Sequence, residues 1–298
     1  MDNQTSSKGK KRLALVFHRN SRVAMGERCM EILRRDPLFE LHQFDMQEIQ
    51  SVKGGFDFYI RFDDGDYTIV MPQRLHPAAW WISDTHLKKP YKKIRRQAAN
   101  YDALFLAQKD DIQRLKKDTR VTAHWLPWAA DALKPGQIFL GDDQRLYDIC
   151  FIGTEGKYSL RKVVIETLRY YYPNSYIGRA EREQLYDFYS KAKIVVNYPI
   201  HNDINARFFE AMGAGAMFLT HRVKGNGVDE LFEENKHLAM FDDIQGEMRQ
   251  KIEFYLAHSE KRMEIAKNGF DLVNGRHTYR DRLKTLFKTL GIALSEGH

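Results

Sequence analysis

The chain has 298 residues, 43% hydrophobic and 12% aromatic, which is enough for a sizeable core and comfortable for two domains. No run approaches the roughly 18 apolar residues of a membrane span, and two cysteines, Cys29 and Cys150, are too few for a disulfide framework or a cysteine-based metal centre. A formal charge of +7 favours anionic partners (nucleotides, nucleic acid, acidic glycans, lipid headgroups) without choosing among them.

Residues 1–10, within "MDNQTSSKGKKR", are polar and basic, so a disordered tail is expected there rather than a signal peptide. "RLALVFH" reads as the first strand, Val23 to Arg35 as its helix and "FELHQF" as the next strand. "FDFYIRF" and "YTIVMP" flank "DDGD", and an Asp-Gly pair between β-rich runs predicts a hairpin. That hairpin is a structural reading of the paired aspartates; a metal loop lacks the required spacing. "AAWWIS", "ALFLAQ" and "VTAHWLP" read as further strands, with helices near 90–99 and 109–117. The basic runs "HLKKPYKKIRRQ" and "RLKKD" read first as solvated helix faces.

Pro135, Gly136 and Gly141 punctuate a polar stretch and place a linker at 131–146, between domains at 11–130 and 147–275. In the second half, "YDICFIG", "NSYIG", "KIVVNYP" and "AMFLT" read as strands and about 160–171 and 182–191 as helices. Helices near 244–257, 260–273 and 278–290 close the chain, the last within a terminal segment at 276–298. Alternation in both halves predicts an α/β fold: two Rossmann-like, doubly wound domains facing a cleft. Cys29 and Cys150 lie in apolar contexts, which predicts buried thiols in a reducing, cytoplasmic compartment.

The segment "HNDINARFFEAMGAGAMFLT" sets Arg207 and Glu210 in a helix otherwise suited to burial. Asn202 or Asp203 is expected to cap it near Ile204, and Gly213 and Gly215 to end it. Helix starts beyond a parallel sheet's carboxyl edge favour phosphate. Glu210 lies about six residues in, roughly 9 Å along the axis, within reach of hydroxyls one sugar from that phosphate. Arg207 either faces the phosphates or forms an i,i+3 ion pair with Glu210.

This helix and the run "DELFEENKHLAMFDD…KIEFYLAHSEKRMEIAKNGFDLVNGRHTYRDRLKTLF" resemble the CgeB-like branch of group 1 glycosyltransferases, over about Tyr147 to Leu290. "WWISDTH" and "YDALFLAQKDDIQRL…HWLPWAAD" extend the resemblance more loosely. It implies the GT-B fold, with the C-terminal helix crossing back to the first domain. It also implies transfer of a sugar from a UDP- or GDP-type donor without a metal. The match assigns Glu210 to the donor's ribose and the preceding loop and helix start, including Asn205, Arg207 and Phe208, to its diphosphate. Related retaining enzymes carry a second glutamate eight positions earlier, where this chain has Asn202.

"CFIGTEGKYSLRK" falls where such enzymes hold donor phosphate, which makes Gly153, Thr154, Lys157 and Arg161 candidates. Gly178 and Arg179, ending "SYIGR", are candidates for the nucleobase. In the first half, Asp84 and His86 of "WWISDTH" are candidate acid–base residues toward the acceptor, with His18 ranked below them. The acceptor is open: an anionic glycan, a protein or nucleic acid, with peripheral membrane contact compatible. Two other readings stand beside transfer, a nucleic-acid-binding protein using its basic helices and a nucleotide-binding module without turnover.

Overall fold

A computed structural model describes residues 9–19, 25–156 and 159–295. The chain divides into two compact units: unit 1 runs to Pro127 and resumes at Arg280, and unit 2 is Trp128–Tyr279. Unit 1 alternates β1 (Lys11–Val16), α1 (Met25–Leu33), β2 (Phe39–Phe44), β3 (Phe58–Phe62), β4 (Ala78–Ile82), α2 (Lys88–Gln97), β5 (Ala103–Leu106), α3 (Asp111–Thr119) and β6 (Thr122–Trp125). Its sheet order is β2-β1-β3-β4-β5-β6, and every pairing is parallel. Strands covered on both faces read as unbroken apolar runs, and β3 (FYIRF) and β4 (AAWWI) are buried at every position. Trp80, Tyr59, Leu104 and Ile94 sit in the core cluster against this sheet.

The predicted hairpin across "DDGD" does not form. β3 and β4 are parallel neighbours, so the chain between them crosses over instead of folding back. Asp63, 1% exposed, explains why. It accepts hydrogen bonds from the Gly65 N–H (2.8 Å), the Tyr67 hydroxyl (2.8 and 2.7 Å), and the Ser83 N–H (2.6 Å) and hydroxyl (2.8 Å). Gly65, at φ +79°, supplies the turn that aims Tyr67 back at Asp63. Burial, then the Asp63 charge, pushes the Tyr67 hydroxyl far above its ordinary range, so it stays a proton donor.

Unit 2 alternates β7 (Tyr147–Ile152), α4 (Leu160–Tyr171), β8 (Ser175–Gly178), α5 (Arg182–Ser190), β9 (Ala192–Asn197), α6 (Ala206–Gly213), β10 (Met217–His221), α7 (Val228–Leu231) and β11 (Ala239–Phe241). Two helices, α8 (Glu247–Ala257) and α9 (Ser259–Arg276), follow, and α10 (Tyr279–Thr289) carries the chain back into unit 1. The sheet, β11-β10-β9-β7-β8, is again wholly parallel. Leu283, Leu286 and Phe287 of α10 are fully buried, the Phe287 ring 5.2 Å from that of Phe39.

Residues 131–146, expected as a linker, are packed into unit 2. Arg145 is 6% exposed and donates to the carbonyls of Ala192 (2.8 Å), Gly215 (2.9 Å) and Leu140 (3.1 Å). Burial lowers its pKa to about 10, so it remains charged at neutral pH. Both cysteines are free and buried, as the sequence predicts. Burial raises the Cys150 thiol to about 12, partly offset by Arg207.

Candidate functional site

In an open parallel sheet, ligands bind past the carboxyl ends of the strands where the winding reverses. In unit 2 that point lies between β7 and β9, because β8 is laid on one side of β7 and β9 on the other. A pocket of about 280 Å³ opens there, lined by Ile152 at the end of β7, Arg161 of α4, Tyr189 of α5, and Asn205, Arg207 and Glu210 around the start of α6.

The helix begins later than the sequence predicts. Asn205 is the N-cap, and α6 starts at Ala206. Neither Asn202 nor Asp203 caps it. His201 (φ 51°) and Asn202 (φ 62°) form a left-handed turn, and the Asp203 Oδ1 accepts the Ile200 N–H at 2.7 Å. Asn205 makes no capping hydrogen bond, and its Oδ1 is buried without a partner. A buried amide oxygen of this kind is an acceptor waiting for a hydroxyl.

Arg207 is held firmly. Its Nη1 donates to Asn197 Oδ1, its Nη2 to the Ile152 carbonyl, and its guanidinium lies 4.7 Å from the centre of the Phe151 ring. Asn197, fully buried, donates in turn to Thr220 Oγ1 at 3.0 Å. Arg161 is fixed from the other side: Nε and Nη2 donate to the Tyr198 carbonyl (2.9 and 2.7 Å) and Nη1 to that of Thr154 (3.3 Å). Burial first, then repulsion from Arg207, lowers the Arg161 pKa to about 10. Two guanidiniums held on backbone carbonyls, near enough to repel each other, make a pocket that gains from an anion. Glu210, 8% exposed, stands in the same pocket.

Other predicted residues fall elsewhere. Phe208 is fully buried, its ring 4.8 Å from that of Phe218, so its side chain packs the core and does not line this pocket. Lys157 lies outside the described residues. Gly178 accepts the Gly153 N–H at 3.0 Å, and the Arg179 carbonyl accepts the Tyr176 hydroxyl at 2.7 Å; neither residue lines this pocket. Thr154 contributes its carbonyl to Arg161. Gly153 has φ +154°, and a Cβ there would fall on the Arg207 guanidinium. Gly153→Ala is therefore expected to destabilise unit 2 by about 1–3 kcal/mol. An unchanged urea midpoint would show that the position tolerates a side chain.

Asn202 spends its amide on the neighbouring loop: Nδ2 donates to the Lys224 carbonyl (2.7 Å) and Oδ1 accepts the Lys224 N–H (2.8 Å). In unit 1, Asp84 and His86 follow β4, and Asp84 Oδ1 accepts the Ser83 hydroxyl at 3.3 Å. The winding of that sheet reverses between β1 and β3. There the His18 N–H donates to Asp64 Oδ2 at 3.0 Å, and burial raises the Asp64 pKa. Sequence reasoning passed over Asp64 as a hairpin residue; the run FYIRF before it, apolar but for Arg61, was the available signal for a parallel strand.

Residues 144–288 match a family model described as glycosyl transferase-like. A search of curated proteins finds no match. Among solved structures, Anabaena Alr3699/HepE in complex with UDP and glucose superposes with a TM-score of 0.62 at 11% identity, over 94% of this chain and 99% of its own. An α-glucosyltransferase in complex with UDP and a 13-mer DNA containing a HMU base gives 0.66 at 9% identity, over 95% and 100%. Sucrose-phosphate synthase from Thermosynechococcus elongatus gives 0.62 at 10%, over 95% and 99%. At such identities the likeness is one of fold, and the fold is GT-B. The family match lies across nearly all of unit 2, the half of the chain that holds the pocket.

Proposed function

We propose that the protein transfers a sugar from a nucleoside-diphosphate donor held in the unit 2 pocket. The observation that carries this reading is the convergence of buried Glu210 and Arg161 with half-buried Arg207 on one pocket, at the point where the sheet's winding reverses. Arg161, Arg207 and the free N–H groups at the start of α6 take the diphosphate and stabilise it as it leaves. These cations do the work a metal does elsewhere, so transfer proceeds without one. Glu210 accepts the ribose hydroxyls, and the unpaired Asn205 oxygen accepts another hydroxyl of the donor. UDP is the first nucleotide to test, since two of the fold relatives were solved with it.

Asp84 or His86 of unit 1 receives the acceptor's proton. The acceptor is a hydroxyl-bearing anionic glycan, protein or nucleic acid. Among the described residues no helix is long and apolar enough to cross a membrane, and two buried free thiols support a cytoplasmic setting. The run from Asp229 to Phe287 supports placing the chain in the CgeB-like branch.

The test is a thermal-shift panel of UDP, GDP, ADP, dTDP and CMP on wild type and Glu210→Ala. One nucleoside diphosphate at 100-fold its Kd should stabilise wild type by about 2.7 kcal/mol. The variant should lose most of that gain. Silence across the panel would overturn the donor site, while equal gains in both proteins would remove only Glu210. Binding with neither transfer nor donor hydrolysis would favour the module without turnover.

A further inference from the structure

The first turn of helix α2 is built against its own electrostatics. Its ten residues, KKPYKKIRRQ, hold six cations and no acid. Lys88 and Lys89 occupy the first turn, where the helix dipole is positive and acids are favoured. No side chain caps that end. Like charges recur at four-residue spacing: Lys88 with Lys92, Lys89 with Lys93, Lys92 with Arg96. Each such pair destabilises an isolated helix. The buried Tyr91, Ile94 and Gln97 fix the helix on the sheet with its cationic face outward.

The surroundings do little to neutralise this face. Arg95 pairs with Asp118 at 3.5 Å, and Asp118 also accepts the Tyr91 hydroxyl at 2.7 Å. Asp111 is taken by Arg114 at 2.7 Å, whose guanidinium lies 3.6 Å from the centre of the Tyr91 ring. Asp66 is near enough to feel Lys93. Among the described residues Lys88, Lys89, Lys92, Lys93 and Arg96 form no ion pair and are exposed. The adjoining α3 adds exposed Lys116 and Lys117. Like charges gathered this densely, with one ion pair at 3.5 Å to offset them, mark a surface selected for a partner.

We propose that the outer face of α2, flanked by α3, is a docking surface for the sugar-phosphate backbone of a nucleic-acid duplex. Charge complementarity identifies a polyanion. A membrane surface is disfavoured, because none of the large exposed apolar side chains lies on α2 or α3 and nothing there inserts into a bilayer. Single strands are disfavoured too: Tyr91 is buried and covered by Arg114, which leaves no stacking platform on α2. A duplex asks only for a rigid row of cations, since it carries one charge per ~1.7 Å of axis. Binding of this kind reads phosphates and is indifferent to sequence. It does not depend on the donor site of unit 2.

Fluorescence anisotropy with a duplex of about 20 base pairs tests this through its salt dependence. Five phosphate contacts predict a log–log slope of about −4.5, a loss of roughly 500-fold between 50 and 200 mM salt. Changing Lys88, Lys89, Lys92, Lys93 and Arg96 together to Gln should weaken binding on the order of 100-fold at 50 mM salt. All five side chains are exposed, and removing their repulsion should leave thermal stability equal or raised. Lys92→Gln alone should reduce the slope by about 1. No duplex binding by wild type, or unchanged binding by the five-site variant, would overturn the proposal. So would tighter binding to phosphatidylserine vesicles or to polygalacturonate than to duplex.

Discussion

Arg207→Met is expected to abolish nucleotide-dependent stabilisation. The side chain is held by Asn197 Oδ1, the Ile152 carbonyl and the Phe151 ring. Truncating one partner of a buried charge pair typically costs about 2–5 kcal/mol of binding, some 30-fold to several thousand-fold in Kd. Part of the damage falls on the protein itself. Asn197 is fully buried, and losing its partner leaves an unsatisfied amide oxygen worth about 1–3 kcal/mol. Calorimetric titration with the nucleotide selected by the panel separates the two effects, since the folded fraction is measured independently. A variant that binds within threefold of wild type would remove Arg207 from the donor site and leave the diphosphate to Arg161 and the helix start.

Arg262→Met should produce the largest loss of stability. Arg262 is 1% exposed, and its Nη2 meets both oxygens of Asp142 at 2.6 Å. Nη1 donates to the carbonyls of Tyr255 and Leu256. The residue thus ties α9 to the end of α8 and to the segment entering β7. Removing one side of a buried pair costs about 3–5 kcal/mol, because the remaining groups keep their desolvation without their partner. For a unit of this size each kcal/mol lowers Tm by about 2–4 °C, so a fall of roughly 6–20 °C is expected. A fall under about 2 °C would show that Asp142, which is 33% exposed, re-solvates freely.

How far the fold was readable depended on how far each element spoke through periodicity. α4 spans Leu160–Tyr171, as the pattern predicts, and β7, β8, β9 and β10 fall on the expected apolar runs. α7 and β11, of four and three residues, are too short to carry a period. The hairpin failed for a different reason. An Asp-Gly pair is a strong local turn signal, but Asp63 is claimed by Ser83 just past the end of the next parallel strand, and no local rule can see that contact. The site divides in the same way. Glu210 and Arg207 stood out because charges in an apolar helix are conspicuous. Asn197 and Tyr189 looked like ordinary strand and helix residues until the sheet brought them beside Arg207. Phe208, next to Arg207 in sequence, turns its side chain into the core, because sequence adjacency says nothing about which face of α6 a side chain takes.

The turn at Asn202 limits how this enzyme can change. Its left-handed φ of 62° suits asparagine far better than a longer acidic side chain. Its amide grips the backbone of Lys224 in both directions, while Asn226 Nδ2 reaches the Asn202 carbonyl at 3.1 Å. Placing a glutamate here would cut both strands of that clasp and add a strained residue. A glutamate is therefore not one substitution away: the stretch around 224–226 would have to be rebuilt with it, which couples the two loops.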